Sequence, residues 1–274
     1  MPQRILVTAA TGTVGREVVA QLREAGAEVR ALTRGPAAFP PGVDTAHGDL
    51  SVPDSLSGAL QDVSTVFLVW PFASIDGLAA VLTLIAENAG RVVYLSSAAV
   101  RDHERQAEQL IEESGLEWTV LRPHAFAANA LRWSEQIRGN GVVREAYGQA
   151  SMSLVHERDI AAVAVHALTR EGHAGARYEL TGPRSLSQAE QVRILGEKAE
   201  HPVHWEEASP QEARLQMLAR GWPPEVADEV LHAQAAMTAR PGPITKTVEQ
   251  VTGAPARTFE SWAAEHTKAF RATG

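Results

Sequence analysis

The stretch "VTAATGTVGREVVAQL", residues 7–22, places two glycines where an apolar run gives way to a helical pattern. "RILVTA" (4–9) reads as a short apolar strand. "TVGREVVAQLREAG" (13–26) reads as a helix, with Val14, Val18, Val19 and Leu22 on one face and Gly26 at its C-cap. A strand, a glycine-containing turn and a helix N-terminus gather backbone N–H groups and the positive helix end at one spot, which suits a pyrophosphate. Gly12 lets the backbone approach such a ligand, and Gly15 lets the helix pack closely on the strand. Three residues before Gly12 stands Ala9 instead of a third glycine. A Gly-x-x-Gly pair alone also fits an ordinary tight turn, so the surrounding pattern has to arbitrate.

That pattern is an alternation. "EVRALTR" (28–34), "VDTAHGDL" (43–50), "VSTVFLVW" (63–70), "RVVYLSS" (91–97) and "EWTVLRP" (117–123) read as strands. Between them "DSLSGALQ" (54–61), 74–90 and 102–115 read as helices, and the Pro-rich "GPAAFPPG" (35–42) as loop. The near-continuous apolar run at 63–70 suggests a strand covered on both faces. Strands alternating with helices at this spacing imply right-handed crossovers and an α/β fold, a Rossmann-type doubly wound parallel sheet. After about residue 125 the rhythm fails, and helices expected at 125–138, 159–170, 187–200, 209–220, 225–238 and 258–271 surround one strand at 177–182. The expected organisation is a dinucleotide-binding domain over 1–150 and a smaller, mostly helical C-terminal lobe over 151–274. The lobe would sit over the strands' C-terminal ends, with the strand at 177–182 returning to the sheet.

The chain of 274 residues is 45% apolar and carries a net charge of −8, which argues against a general nucleic-acid or anionic-membrane binder. No apolar run approaches the roughly 20 residues needed to span a bilayer. The N-terminus lacks a signal-peptide layout, since "RILV" breaks off into polar sequence. With no cysteine, disulfides, thiolate catalysis and Cys-ligated zinc are excluded. The ten histidines form no His-Glu-x-x-His or comparable motif, so no metal site is expected. A cytoplasmic protein, monomeric or homodimeric, that acts on a small molecule is the expectation.

Seven segments then fall in order across residues 7–191: "VTAATGTVG", "GDL", "FLVWP", "YLSSAAV", "SGLEWTVLRPHAFAANAL", "ERDIAAVAVHAL" and "YELTGPRSLSQAEQ". Together they resemble the NmrA-like group of atypical short-chain dehydrogenase/reductases, which includes NAD(P)H:quinone reductase-like proteins. The C-terminal "RTFESWAAEHTKAF" also looks like the tail of such proteins. The resemblance implies a cofactor site from Gly12, Thr13, Val14 and Gly15 in the loop, with Thr33 and Arg34 after the second strand. It continues through Asp49 and Leu50 near the adenine, then Val69, Trp70 and Pro71 after the fourth strand, and Ser96 after the fifth. The group's loop usually has a glycine at the position of Ala9; alanine is tolerable there with a negative φ, at the cost of a methyl facing the cofactor.

At the end of the second strand an acidic residue would bind a ribose 2′-hydroxyl, whereas arginine favours a 2′-phosphate. "ALTRGP" puts Thr33 and Arg34 there, which points to NADPH in preference to NADH; two solvated surface arginines, Arg34 and Arg16, are the competing reading. Arg16 stands in the first helical turn, where a cation opposes the helix dipole unless an anion is near.

Ordinary members of the superfamily use Tyr-x-x-x-Lys. That pair is absent, because no lysine precedes Lys198 and the group's lysine position falls at Glu104; Tyr94, the nearest tyrosine, lies inside a strand. Hydride transfer would then rest on positioning, with reacting atoms held at about 3–3.5 Å. A proton would come from solvent or a histidine: His103, His124 or His156. His124 follows a strand's C-terminal end, the ligand side of an open α/β sheet. Ser96 and Ser97 lie on the same side, as catalytic groups or helix caps, and Asp159 reads as a helix N-cap. Phe72, His124, Phe126, Asn129 and Trp133 are the expected substrate-lining residues. Three functions remain in competition: an NADPH-dependent reductase of a small apolar carbonyl, quinone or conjugated substrate, a non-catalytic NADP(H) sensor, and a biosynthetic isomerase or dehydratase.

Overall fold

The computed structural model describes residues 4–271. In chain order the first elements are β1 (Arg4–Val7), α1 (Gly15–Glu24), β2 (Glu28–Thr33), β3 (Asp44–His47), β4 (Val63–Val69), α2 (Leu78–Asn88), β5 (Arg91–Leu95), α3 (Asp102–Glu113) and β6 (Glu117–Pro123). Next come α4 (Ser134–Asn140), β7 (Val142–Glu145), β8 (Ser151–Ser153), α5 (Glu157–Thr169), β9 (Ala176–Leu180), β10 (Ser185–Ser187), α6 (Gln188–Ala199) and β11 (His204–Glu207). The last are α7 (Pro210–Ala219), α8 (Pro224–Ala239), α9 (Thr247–Thr252) and α10 (Phe259–Glu265).

Seven strands form one sheet in the order β3-β2-β1-β4-β5-β6-β9, parallel at every pairing. The order reverses beside β1, the topological switch of a doubly wound fold. Both faces are covered, as the apolar β4 demands. Leu6, Val66, Leu68, Val92, Tyr94 and Val120 share a cluster with Leu78, Val81, Leu82 and Ile85 of α2 and Ala107 and Ile111 of α3. Their strand neighbours Ile5, Val7, Phe67, Val93 and Leu121, also buried, alternate to the opposite face, where α1 and α5 pack. α1 ends as its sequence suggests: Gly26 has φ +76°, Ala27 N–H donates to Leu22 O and Gly26 N–H to Arg23 O, a Schellman closure.

The chain divides into two compact units, and the division is not one cut at residue 150. The first takes the residues up to His124, then Glu157–Leu180 and Thr247–Ala254; the second takes Ala125–His156, Thr181–Lys246 and the chain from Pro255 on. β9 extends the sheet of the first unit by pairing with β6. The second unit has its own core of Trp133, Ile137, Val143, Leu195, Phe259, Trp262 and Phe270. Ser187 and Ser209 cap α6 and α7 by accepting from the N–H of Glu190 and Glu212, whose carboxylates return to the cap N–H groups.

Several local expectations are corrected. The helix expected at 125–138 is a 3-10 helix, Ala127–Trp133, running into α4, and the one at 54–61 is a 3-10 turn, Pro53–Leu56, followed by non-helical turns. The helix expected at 258–271 is α10 followed by a 3-10 turn, Thr267–Ala269. Helix α5 begins at Glu157, so buried Asp159 lies in its first turn and is not its N-cap. The short strands β7, β8, β10 and β11 have no counterpart in the sequence reading. β8 pairs antiparallel with β10, and β7 parallel with β11. Strands of three or four residues carry too few alternations to show a period.

Candidate functional site

The glycine loop is built around one carbonyl. Thr8 anchors its start: its N–H donates to Phe67 O and its Oγ1 accepts from Val69 N–H at 2.8 Å. Gly12 N–H then donates to Ala9 O at 2.8 Å. A Cβ on Gly12 would lie 3.1 Å from that oxygen, and one on Gly15 only 2.1 Å from it. The two glycines therefore let α1 begin directly against the loop backbone. Ala9 itself has φ +47°. This corrects the expectation of a negative φ: the alanine occupies the left-handed conformation that glycine adopts freely and L-residues adopt at a cost.

Val14, at the N-cap of α1, makes no side-chain capping bond. Arg16 finds partners inside the loop, its Nε donating to Gly12 O at 3.2 Å and its Nη2 to Thr11 O at 3.1 Å. These carbonyls offset the repulsion between its charge and the helix dipole.

A cleft of about 360 Å³ opens beside this loop, lined by Ala9, Thr11 and Gly12. It runs past Leu32 to Arg34 at the end of β2 and the Gly35–Ala37 segment, Gly48 to Leu50 after β3, and Pro71 and Phe72 after β4. The C-terminal ends of these strands thus converge on one concavity at the switch point, where open α/β sheets take ligands. Of the residues expected to hold cofactor, Gly12, Arg34, Asp49, Leu50 and Pro71 line it, together with Thr33. Thr33 Oγ1 donates to Gly35 O, and His47 Nε2 lies 3.2 Å from Arg34 O, so both shape the turn. Asp49 is held anionic, its pKa lowered first by the N–H and hydroxyl of Ser51 and then by Arg34 and His47. Both Ser51 bonds go to Oδ1 at 2.8 Å.

Sequence reading did not single out Pro36, Ala37 or Gly48 as lining the cleft. The Pro-rich stretch signals a loop but not the direction it faces. Gly48 is required sterically, because a Cβ there would come within 2.9 Å of Leu32 and 3.2 Å of Ser55 O.

Other expected site residues have different surroundings. Trp70 is buried, its indole N–H donating to Ser74 O, and it meets Phe72 edge-on at 4.8 Å, bracing the ring that lines the cleft. Ser96 Oγ donates to Glu108 Oε1 at 2.6 Å, and Glu108, 3% exposed, is also ion-paired with Arg122. That hydroxyl is committed to an ion-pair network beneath α3. Ser97 Oγ accepts from Ala99 N–H. Glu104 accepts from Arg101 N–H at the start of α3, so the position of the group's lysine is occupied by a helix cap. Tyr94 is buried in β5, and burial with the nearby Glu108 and Glu104 pushes its pKa up to about 12.

His124 follows β6, its N–H donating to Leu180 O, and its Nε2 is buried with no hydrogen-bond partner among the described residues. Burial lowers its pKa, against the pull of Glu179. His103 Nε2 is likewise buried and unpartnered, with Nδ1 at 4.0 Å from Glu104. In the second unit, Phe126 is half-buried and bridges to Val155, Asn129 is exposed, and His156 is buried 3.6 Å from Glu265. Trp133 is fully buried, meeting Trp205 edge-on at 6.1 Å with the Arg132 guanidinium over its ring at 4.2 Å. Its place is the core.

A parallel sheet with its order reversing beside β1, and a glycine loop and cleft at that reversal, define a dinucleotide-binding α/β protein. The chain belongs to the NAD(P)H-binding family, whose model matches residues 9–171, and within it to the NmrA-like atypical short-chain dehydrogenase/reductases. It is 39% identical to a (4-alkanoyl-5-oxo-2,5-dihydrofuran-3-yl)methyl phosphate reductase of Streptomyces griseus, over 97% of this chain and 99% of that one. It is 38% identical to an NAD(P)H azoreductase of Xenophilus azovorans, over 98% and 99%. In structure it is similar to an NADPH-dependent quinone oxidoreductase of Escherichia coli, with a TM-score of 0.80 and 22% identity over 95% and 98% of the two chains. The chain is an NAD(P)H-dependent oxidoreductase. Among the described residues no helix is long and apolar enough to cross a membrane.

Proposed function

We propose that the chain is an NADPH-preferring reductase of a small conjugated acceptor: a quinone, an apolar carbonyl compound or a related unsaturated molecule. The observation that carries the cofactor preference is the cleft's polar lining. Arg34 stands at the end of β2 with Thr33, and no carboxylate takes that place. The cleft fits a dinucleotide sterically, because its loop is stripped of side chains at Gly12 and the start of α1 carries no side-chain cap. Thr13, Val14 and Gly15 would present backbone N–H groups to the pyrophosphate, with Gly12 leaving room for its approach, Asp49 and Leu50 would border the adenine, and Val69, Pro71 and Phe72 would line the way to the nicotinamide.

The cofactor supplies a hydride when bound. The chain's own part is to orient the acceptor, exclude water and deliver a proton. Tyr94 is unsuited to that delivery, held protonated inside the sheet with no lysine beside it. His124 fits better: it follows β6, and its buried Nε2 has no hydrogen-bond partner among the described residues, which leaves that nitrogen for a substrate. The two relatives are named for a dihydrofuranone phosphate and for azo reduction, and an unsaturated hydride acceptor accommodates both. A cytoplasmic setting belongs to the same reading, on the absence of cysteine.

The test is NADPH consumption with a panel of quinones, enones and azo dyes. Turnover with at least one class, and weaker turnover with NADH, is expected. No turnover with any acceptor, combined with tight and redox-dependent dinucleotide binding, would establish the sensor reading, which the missing tyrosine–lysine pair also fits.

A further inference from the structure

The second unit contains a cavity of about 280 Å³ that shares no residue with the dinucleotide cleft. Three helical faces converge on it: Arg132 and Gln136 one turn apart across the 3-10 helix and α4, Met217 and Arg220 at the end of α7, and Val230 and Gln234 one turn apart on α8. Trp222, 40% exposed, closes one wall.

The polar groups of this cavity are incompletely used. Gln136 Oε1 accepts from Arg144 N–H at 2.9 Å, but its Nε2 is buried with no hydrogen-bond partner among the described residues. Gln234, 8% exposed, lines the cavity beside it. The nearest carboxylate to the Arg220 guanidinium is Glu145 at 3.9 Å, beyond hydrogen-bond reach. Glu145 also lies 3.6 Å from Arg132, whose Nη2 donates to Gln188. A native fold pairs almost all its buried polar groups, so an amide donor and a half-engaged guanidinium at one concavity point to a missing acceptor.

We propose that this cavity binds a small organic monocarboxylate. Its carboxylate is taken by Arg220 and the Gln136 amide, and its short aliphatic or aromatic body lies against Met217, Trp222 and Val230. An arginine fork matches a carboxylate in two parallel bonds, and a methionine wall adapts to bodies of differing shape. A single negative charge is the right dose. Glu135 and Glu145 line the same cavity as Arg132 and Arg220, so the site starts near neutrality and a phosphate dianion would meet repulsion.

Calorimetric titration of the full chain with hexanoate, hexanol and inorganic phosphate tests this. Hexanoate should bind at least tenfold more tightly than hexanol or phosphate. Arg220→Gln should weaken hexanoate tenfold or more and Gln136→Leu several-fold, with unfolding midpoints close to wild type because Arg220 is half-exposed and Gln136 is not fully buried. Trp222 fluorescence, isolated by comparison with Trp222→Phe, should respond to hexanoate. Failure of hexanoate to bind, equal binding of hexanol, or hexanoate affinity untouched in both variants would overturn the assignment. None of these outcomes bears on NADPH binding or turnover.

Discussion

The carbonyl oxygen of Ala9 lies 2.1 Å from the point a Cβ on Gly15 would occupy. That oxygen also accepts the N–H of Gly12 and so cannot move aside without opening the loop. Gly15→Ala should therefore shift either the helix start or the loop. Overpacking of this kind costs about 1–3 kcal/mol. The expected result is a fall of several degrees in the thermal midpoint and a marked loss of NADPH affinity, read by scanning calorimetry and by tryptophan quenching.

Ala9→Gly should act in the opposite sense. Releasing an alanine from the left-handed region recovers about 1–2 kcal/mol, against about 0.4–1 kcal/mol for the more flexible unfolded chain. A small net stabilisation and unchanged or tighter NADPH binding are expected. Destabilisation on chemical denaturation would show that the methyl contributes packing which outweighs the strain.

Arg34 should set the choice of cofactor. A hydrogen bond to a charged group is worth about 1.5–3 kcal/mol, so Arg34→Ala should cut the preference for NADPH over NADH by tenfold or more. Comparing dissociation constants for both dinucleotides in wild type and variant checks it. Equal affinities in the wild type would remove the basis for the preference.

Tyr94 and His124 should separate in kinetics. Tyr94→Phe removes a hydroxyl whose pKa of about 12 already keeps it out of proton transfer, and turnover should change little. His124→Asn should lower kcat while sparing NADPH affinity, because His124 is not among the residues of the dinucleotide cleft. A collapse of kcat in Tyr94→Phe with NADPH affinity intact would relocate the chemistry to the tyrosine.

Acid should weaken the fold through its histidines. His124, His166 and His173 all have pKa values lowered from 6.5, in each case chiefly by burial. The unfolded chain therefore binds more protons than the folded one as pH drops below about 6.5, and stability rises with pH across that window. The penalty grows as pH falls from the unfolded value through the folded ones and then levels off. Urea midpoints at pH 8, 6.5 and 5.5 should decline in that order, and less steeply in His124→Asn.

Features that depend on short-range order are legible in the chain before it is folded. Alternating strands and helices up to Pro123, the Gly12/Gly15 turn and the missing lysine can all be read from neighbours a few residues apart, because periodicity and turn chemistry are local. Tertiary structure alone decided the rest. The φ of Ala9 is set by where α1 must start against the loop, and the partner of Ser96 by Glu108 twelve residues on. Trp133, expected to line the substrate site, is instead part of the core of the second unit, where Trp205, far along the chain, meets it edge-on. The strands β7, β8, β10 and β11 rest on pairings with distant segments, which outweigh the weak preferences of three- and four-residue runs, whereas the return of β9 to the sheet was already expected from its strand pattern. The cavity of the second unit is likewise made from four separate stretches of chain, and no local pattern marks it.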